Sequence, residues 1–178
     1  MKKKKILIFG LPGSGKTTLS KKVSERLKAL HLNADEIRKR FNDWDFSNEG
    51  RLRQAERMNN LAKNASEDFI VLDFVCPTKR FRAMIAADTT IFMDTILSSR
   101  FADTNKIFEM PDETENITFR IKEMNSDHEA KKITTTLMNV DLSRQAGLDT
   151  ISKSISLGAE ILSPHNIISK AKIISGNP

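Results

Sequence analysis

Gly10, Gly13, Gly15, Lys16 and Thr17 stand at the spacing of a loop that grips phosphate. The run Gly10-Leu-Pro-Gly-Ser-Gly15-Lys16-Thr17 fits G-x-x-x-x-G-K-[ST] at every position. Glycines at those places let the backbone curl until successive N–H groups point inward at phosphate oxygens. Lys16 then reaches the β- and γ-phosphates, and the Thr17 hydroxyl can ligate Mg²⁺. Gly10, Gly13, Ser14, Gly15, Lys16, Thr17 and Thr18 are therefore the expected phosphate-binding residues. By chance the motif is expected in fewer than about one chain in a hundred of this size. It implies a nucleoside-triphosphate site and does not separate a kinase from a GTPase or an ATPase. The chain has no Asn-Lys-x-Asp run to read guanine and, at 178 residues, is short for a motor ATPase. A small-molecule kinase using ATP and Mg²⁺ is the residual class.

The flanking pattern supplies the elements that such a loop needs. Ile6 to Phe9 is wholly apolar, as in a strand buried on both faces. From Lys16 onward Leu19, Val23, Leu27 and Leu30 recur at steps of four, four and three, so a helix follows the loop and points its positive end at the phosphates. A very short strand is expected at Leu30 to Leu32 and a short helix over Asp35 to Phe41. Ser47 is expected to cap a longer helix with Leu52, Ala55, Met58, Ala62 and Ala65 inside. Phe69 to Val75 reads as a strand interrupted only by Asp73, Thr78 to Ala87 as a helix, and Thr90 to Asp94 as a strand. Ser98 to Glu115 is polar and irregular, Ile117 to Ile121 alternates like a half-exposed strand, and Asp127 to Met138 looks helical. Residues 139–178 lack a strong period and form a separate C-terminal extension after a domain of residues 1–138, with a helix expected near Ser143 to Leu157. Alternating strands and helices mean βαβ units, hence a single α/β domain with a mostly parallel sheet flanked by helices. Ligands in such sheets bind at the carboxyl ends of the strands.

Charge and composition narrow the partners. The 29 basic and 23 acidic residues give a net charge of +6, but Lys2 to Lys5 supply four of the positive charges. Without them the balance is 25 against 23, so the broad basic footprint of a nucleic-acid binder is missing. The one cysteine, Cys76, allows no internal disulfide and fits a reducing compartment, and the three histidines are scattered away from zinc spacing. No apolar stretch near the start is long enough for a signal peptide or a membrane span. A cytoplasmic protein with small-molecule substrates, no nucleic acid and no membrane is expected.

Beyond the loop, the chain resembles the adenylylsulfate kinase family from about Ile6 to Pro111. That family of P-loop NTPases has a nucleoside-kinase-like fold and uses Mg-ATP to phosphorylate the 3′-hydroxyl of adenosine 5′-phosphosulfate, giving PAPS. Its Asp-Gly-Asp-x-x-Arg is met here by Asn33-Ala34-Asp35-Glu36-Ile37-Arg38, with the second Asp and the Arg kept. The resemblance implies that Asp35 binds a Mg²⁺-ligated water or acts as general base, and that Arg38 holds the anionic end of the acceptor. A carboxylate at a helix N-terminus also serves the helix dipole. The family's Phe-Ser-x-x-Asp-Arg run corresponds to Phe46-Ser47-Asn48-Glu49-Gly50-Arg51, which would make Phe46 a stacking face for the acceptor adenine and Arg51 a second anion contact. A core phenylalanine and a solvated arginine are the plainer alternatives. Phe74-Val75-Cys76-Pro77 stands for Phe-Ile-Ser-Pro. Val75 would meet the acceptor through its backbone, and Cys76, in place of a phosphorylatable serine, reads as a small buried residue. Ser99-Arg100-Phe101 leads straight to Phe108-Glu109-Met110-Pro111, without the family's lysine-rich lid. Arg100 would be the catalytic or ATP-contacting cation, and Phe101 the second aromatic face opposite Phe46; Phe101 and Phe108 are equally suited to anchoring a surface loop.

Lys16, Asp35 and Arg100 are thus the expected catalytic residues. Thr17 and Asp35 are the expected metal contacts, with Asp73 at its strand end as a secondary candidate. A shortened lid means that closure is small, or that the tail or a second subunit covers the site, so a homodimer belongs among the expectations. Phosphorylation of another small hydroxyl compound, such as a nucleoside or sugar, and ATP binding without catalysis are the competing functions.

Overall fold

The computed structural model describes residues 3–161. Five strands form one sheet in the order β2-β3-β1-β4-β5, and every neighbouring pair is parallel. The strands are β1 (Lys4–Phe9), β2 (Leu30–Asn33), β3 (Phe69–Asp73), β4 (Thr89–Met93) and β5 (Phe119–Ile121). The central strand is β1, paired with β3 on one side and β4 on the other. Its Ile6, Leu7, Ile8 and Phe9 are buried on both faces, which is why that run carries no polar residue.

The helices are α1 (Lys16–Leu27), α2 (Ala34–Arg40), α3 (Asn48–Asn64), α4 (Lys79–Ile85), α5 (Ala102–Ile107) and α6 (Ser126–Ile161). Local chemistry sets most of their starts. Asn33 caps α2 by accepting from the N–H groups of Asp35 and Glu36, Ser47 caps α3 through Gly50, and Thr78 caps α4 through Phe81. The core on one side of the sheet is made by Leu7, Phe9 and Leu72 with Ala55 and Met58 of α3 and Phe81 and Ile85 of α4.

Three expectations need correction. The stretch from Ser98 to Glu115 is not wholly irregular, because α5 lies inside it; only Thr104 of that helix is buried, so it carries no apolar stripe to read. The helices expected at Asp127 to Met138 and Ser143 to Leu157 are one continuous helix, since no proline interrupts residues 126–161. The strand read as Phe69 to Val75 ends at Asp73, after which Val75 and Cys76 leave the sheet. The chain divides between Thr134 and Thr135 into two compact units. The extension expected over residues 139–178 runs past residue 161, outside the described residues. Among the described residues no helix is long and apolar enough to cross a membrane.

Candidate active site

Gly10 to Gly15 connects the carboxyl end of β1 to α1, and the loop is folded as its glycines permit. Gly10, Gly13 and Gly15 all have positive φ. At Gly10 an added Cβ would lie 2.7 Å from the carbonyl oxygen of Met93, so the loop passes β4 too closely for a side chain. Gly15 is the N-cap of α1 and offers no side-chain cap. The first N–H groups of α1 therefore lack an intrahelical partner and point out of the helix end, where an anion satisfies them. The Ser14 hydroxyl is buried without a hydrogen-bond partner, and its carbonyl is held by Thr95 Oγ1 at 2.8 Å. Lys16 is buried, and its Nζ donates to the Leu11 carbonyl at 2.9 Å. Burial lowers its pKa, while Asp73 and Asp35 work the other way. An ammonium so desolvated gains from a phosphate that would replace its water.

The ends of β2 and β3 lie beside this loop. Parallel pairing sets Asn33 opposite Asp73. The Asn33 amide donates to Asp73 Oδ2 at 2.6 Å and to Thr17 Oγ1 at 3.4 Å, so it sits between the hydroxyl and the carboxylate. His31 Nε2 is 3.4 Å from the same Asp73 oxygen. Burial pushes the Asp73 carboxyl up. His31, Thr17, Asn33 and the charge of Lys16 outweigh that, and hold it below the ordinary aspartate value. Asp35 follows Asn33 by two residues, exposed on the first turn of α2.

The other half of the cleft is built from loops held by arginines. Arg38, 3% exposed, donates through Nη1 to the carbonyls of Asp43 and Asp45 at 2.9 and 2.8 Å. It also stacks over Phe46, with 4.6 Å from Cζ to the ring centre. Arg51 donates from Nε to the Phe46 carbonyl at 2.8 Å and approaches the same ring at 5.7 Å. Asp43 and Asp45 in turn bind Arg53, and Asp43 binds Arg57, which holds the Asp43 carboxyl well below the usual range. Gly50 is needed there, because a Cβ on it would lie 2.3 Å from the Asp45 carbonyl oxygen. Arg100 lies 4.9 Å over the Phe101 ring. Phe108 is packed on Phe92 at 6.2 Å and anchors its loop to the core. Cys76 is fully buried, and that burial pushes its thiol pKa up, so it is an inert small residue.

One cleft of about 940 Å³ joins these pieces. Lys16, Thr17, Asp35, Arg38, Phe46 and Arg51 line it, as do Asp73, Val75, Arg100 and Phe101, and Gly13 at the loop. Gly10, Ser14 and Gly15 belong to the loop without lining the cleft, and Thr18 is exposed on α1, also outside the lining. Phe46 and Phe101 are 53% and 47% exposed, unlike core rings, and both open onto the same space. Sequence reasoning missed His31, the bridging role of Asn33, and Asp103, whose charge bears on Arg51. Only the pairing of β2 with β3 brings the first two to Asp73.

The donors suit Mg²⁺ rather than a metal caged by protein. Among the described residues no group of three or more His, Cys, Asp or Glu side chains converges on one point. A hydroxyl, one or two carboxylates, water and phosphate oxygens are what Mg²⁺ takes in such sites. The buried, ionised Asp73 beside Thr17 fits that donor set.

A glycine loop between the central strand and the first helix of a parallel sheet in this order defines a P-loop domain, with the fold of P-loop small-molecule kinases. The family model described as an AAA domain matches residues 6–100, more than half of the chain, and the chain belongs to that family. No curated protein sequence matches it. Among solved structures, the chain is similar to the Mycobacterium tuberculosis APS kinase CysC in complex with AMPPNP and APS. That similarity has 21% identity and a TM-score of 0.65, over 77% of this chain and 98% of the other. It is also similar to a gluconokinase from Sinorhizobium meliloti, at 14% identity and TM-score 0.56 over 79% and 97% of the two chains. A shikimate kinase from Aquifex aeolicus matches at 19% identity and TM-score 0.55 over 78% and 98%. At these identities the likeness is one of fold.

Proposed function

We propose that the protein is an adenylylsulfate kinase, transferring the γ-phosphoryl group of ATP to the 3′-hydroxyl of adenosine 5′-phosphosulfate. The observation that carries this reading is the shared cleft. Its lining combines phosphate-loop residues, Gly13, Lys16 and Thr17, with two exposed phenylalanines and three arginines. The loop backbone and Lys16 bind the phosphates of ATP. Thr17 with Asp35 or Asp73 would hold Mg²⁺, which neutralises phosphate charge when bound. Asp35, exposed at the cleft, orients the acceptor hydroxyl and accepts its proton. Phe46 and Phe101 take the acceptor base between them, and Arg51 and Arg38 face its anionic end. Arg100 supplies positive charge near the transferred group. The complex that the M. tuberculosis enzyme forms with AMPPNP and APS supports the choice of acceptor. Incubation with ATP, Mg²⁺ and adenylylsulfate is expected to yield PAPS. Yield no greater than that of Lys16→Ala would reject the proposal.

One observation favours a second reading, a kinase for another small hydroxyl compound. Arg38 spends its Nη1 on the carbonyls of Asp43 and Asp45, which leaves fewer donors for a sulfate. A panel of hydroxyl compounds screened by thermal shift with ADP separates the two, because the true acceptor stabilises the fold by mass action.

A further inference from the structure

Arg82 lies on α4 outside the cleft and is 5% exposed. A buried guanidinium is tolerated only when it is paired and hydrogen-bonded. Its Nε and Nη2 donate to the two carboxylate oxygens of Glu115 at 2.6 and 2.7 Å, a bidentate pair. Its Nη1 donates to the carbonyls of Cys76 and Pro77, both at 3.3 Å. The guanidinium also lies 5.0 Å over the ring of Phe9, on the strand that feeds the phosphate loop.

The turn that Arg82 grips is strained. Cys76 has φ +44°, in the left-handed region where a Cβ is disfavoured. Such a conformation persists only when its surroundings over-determine it. Its neighbours Val75 and Pro77 line the cleft. The segment from Phe108 to Ile117 adds further ties to this turn. The Glu109 N–H donates to the Pro77 carbonyl at 2.8 Å, and a Glu109 carboxylate oxygen accepts from the Lys79 N–H at 2.7 Å. Lys79 Nζ pairs with Asp112 at 2.8 Å. This segment starts where α5 ends, and Phe101 is the N-cap of α5. The turn after β3 and the Phe101 wall are therefore joined by one strap.

We propose that Arg82, through its bidentate hold on Glu115, is a positioning residue that fixes the Val75–Pro77 turn and the strap as a preformed acceptor wall. The inference rests on the reading that the acceptor occupies this half of the cleft. It accounts for how the shortened segment between Arg100 and Phe108 serves without a long closing lid. The wall is held in place by a buried ion pair rather than brought there by closure.

The test titrates adenylylsulfate into protein saturated with ADP and Mg²⁺, by calorimetry, and ADP alone in parallel. Glu115→Gln is expected to weaken acceptor binding tenfold or more and to leave ADP affinity within twofold. The exposed Glu109→Ala, which is not in the buried pair, is expected to weaken it about threefold, so a folding failure of the first variant does not end the test. Hydrogen exchange is expected to speed up in both variants at the amides of Cys76 to Phe81, and not along β1 or α1. Unchanged acceptor affinity in either folded variant overturns the proposal. If the unmodified protein binds no adenylylsulfate, the acceptor reading fails on its own. Exchange then decides: acceleration confined to Cys76 to Phe81 supports the strap, and unchanged exchange there overturns it.

Discussion

Replacing Asn33 by Asp tests the arrangement at the strand ends most directly. Asn33 Nδ2 is 2.6 Å from Asp73 Oδ2. In Asn33→Asp a carboxylate oxygen takes the place of that donor. The cap on α2 survives, because the other oxygen still accepts from Asp35 and Glu36. What changes is the sign of one contact. Two full charges at that distance repel by roughly 6 kcal/mol at an effective dielectric constant near 20. The protein avoids that cost by keeping a proton on one of the pair, as carboxylate dyads do. At pH 7 holding the proton costs about 4 kcal/mol, since pH 7 lies roughly three units above an ordinary aspartate pKa. About 4 kcal/mol is therefore the ceiling on the loss, and it falls to about 1.5 kcal/mol at pH 5. The sign follows from linkage. The dyad raises a folded-state pKa above its unfolded value, so the folded variant binds more protons and loses stability as pH rises. The parent behaves oppositely at Asp73. Its pKa is lowered on folding, so its contribution is present above the unfolded value and is lost as pH falls through the folded one. Urea unfolding of both proteins at pH 5 and pH 7.5 reads the difference. A gap that is large at pH 7.5 and much smaller at pH 5 is expected. A variant as stable as its parent at both values would show that Asp73 is not the charged partner of Asn33.

Two further outcomes are expected. Gly50→Ala would press a methyl against the Asp45 carbonyl oxygen, a backbone atom that cannot swing away, and should cost about 1–3 kcal/mol in chemical denaturation; an unchanged midpoint would show that the α3 entrance is looser than the structure indicates. Phe46→Ala and Phe101→Ala should each weaken adenylylsulfate binding by about 5- to 150-fold, the worth of about 1–3 kcal/mol per stacked base. Phe108→Ala, packed on Phe92, should lower the unfolding midpoint instead, and equal effects of all three on affinity would remove the distinction.

The parts legible from the sequence are those whose causes are local. Ile6 to Phe9 had to be apolar because the middle strand has no solvent face, and the glycine loop advertises its own curvature. Ser47 was readable as a cap because a cap is a relation between residues three apart. The site's pairings were not readable for the complementary reason. Asn33 and Asp73 are 40 residues apart, and Arg82 and Glu115 are 33 apart. Only the crossovers of the parallel sheet decide which strand ends meet. The continuity of α6 was not readable because its buried residues, Ala130, Ile133 and Leu137, all lie in its first part, while Leu148, Ile151 and Ile155 further along are exposed and set no strong period.

The arginines of the cleft show why residue type alone underdetermines a role. In the sequence Arg38 and Arg51 look equivalent, each a cation spaced for an acceptor anion. Their surroundings separate them. Nη1 of Arg38 is spent on two carbonyls of the loop that carries Phe46, so removing its charge would loosen that wall before it weakened an anion contact. Arg51 commits Nε to the Phe46 carbonyl, and its terminal nitrogens make no hydrogen bond among the described residues. Arg82, never in the cleft, shapes it through Cys76, Pro77 and Glu115. The guanidinium is suited to both tasks because its donors form a rigid fork that serves carbonyls and anions alike. The half of the cleft proposed to take the acceptor is thus a set of loops held in shape by positive charge directed at the protein's own oxygens. Arg51 and Arg100 keep the uncommitted donors, and an anionic acceptor would meet them first.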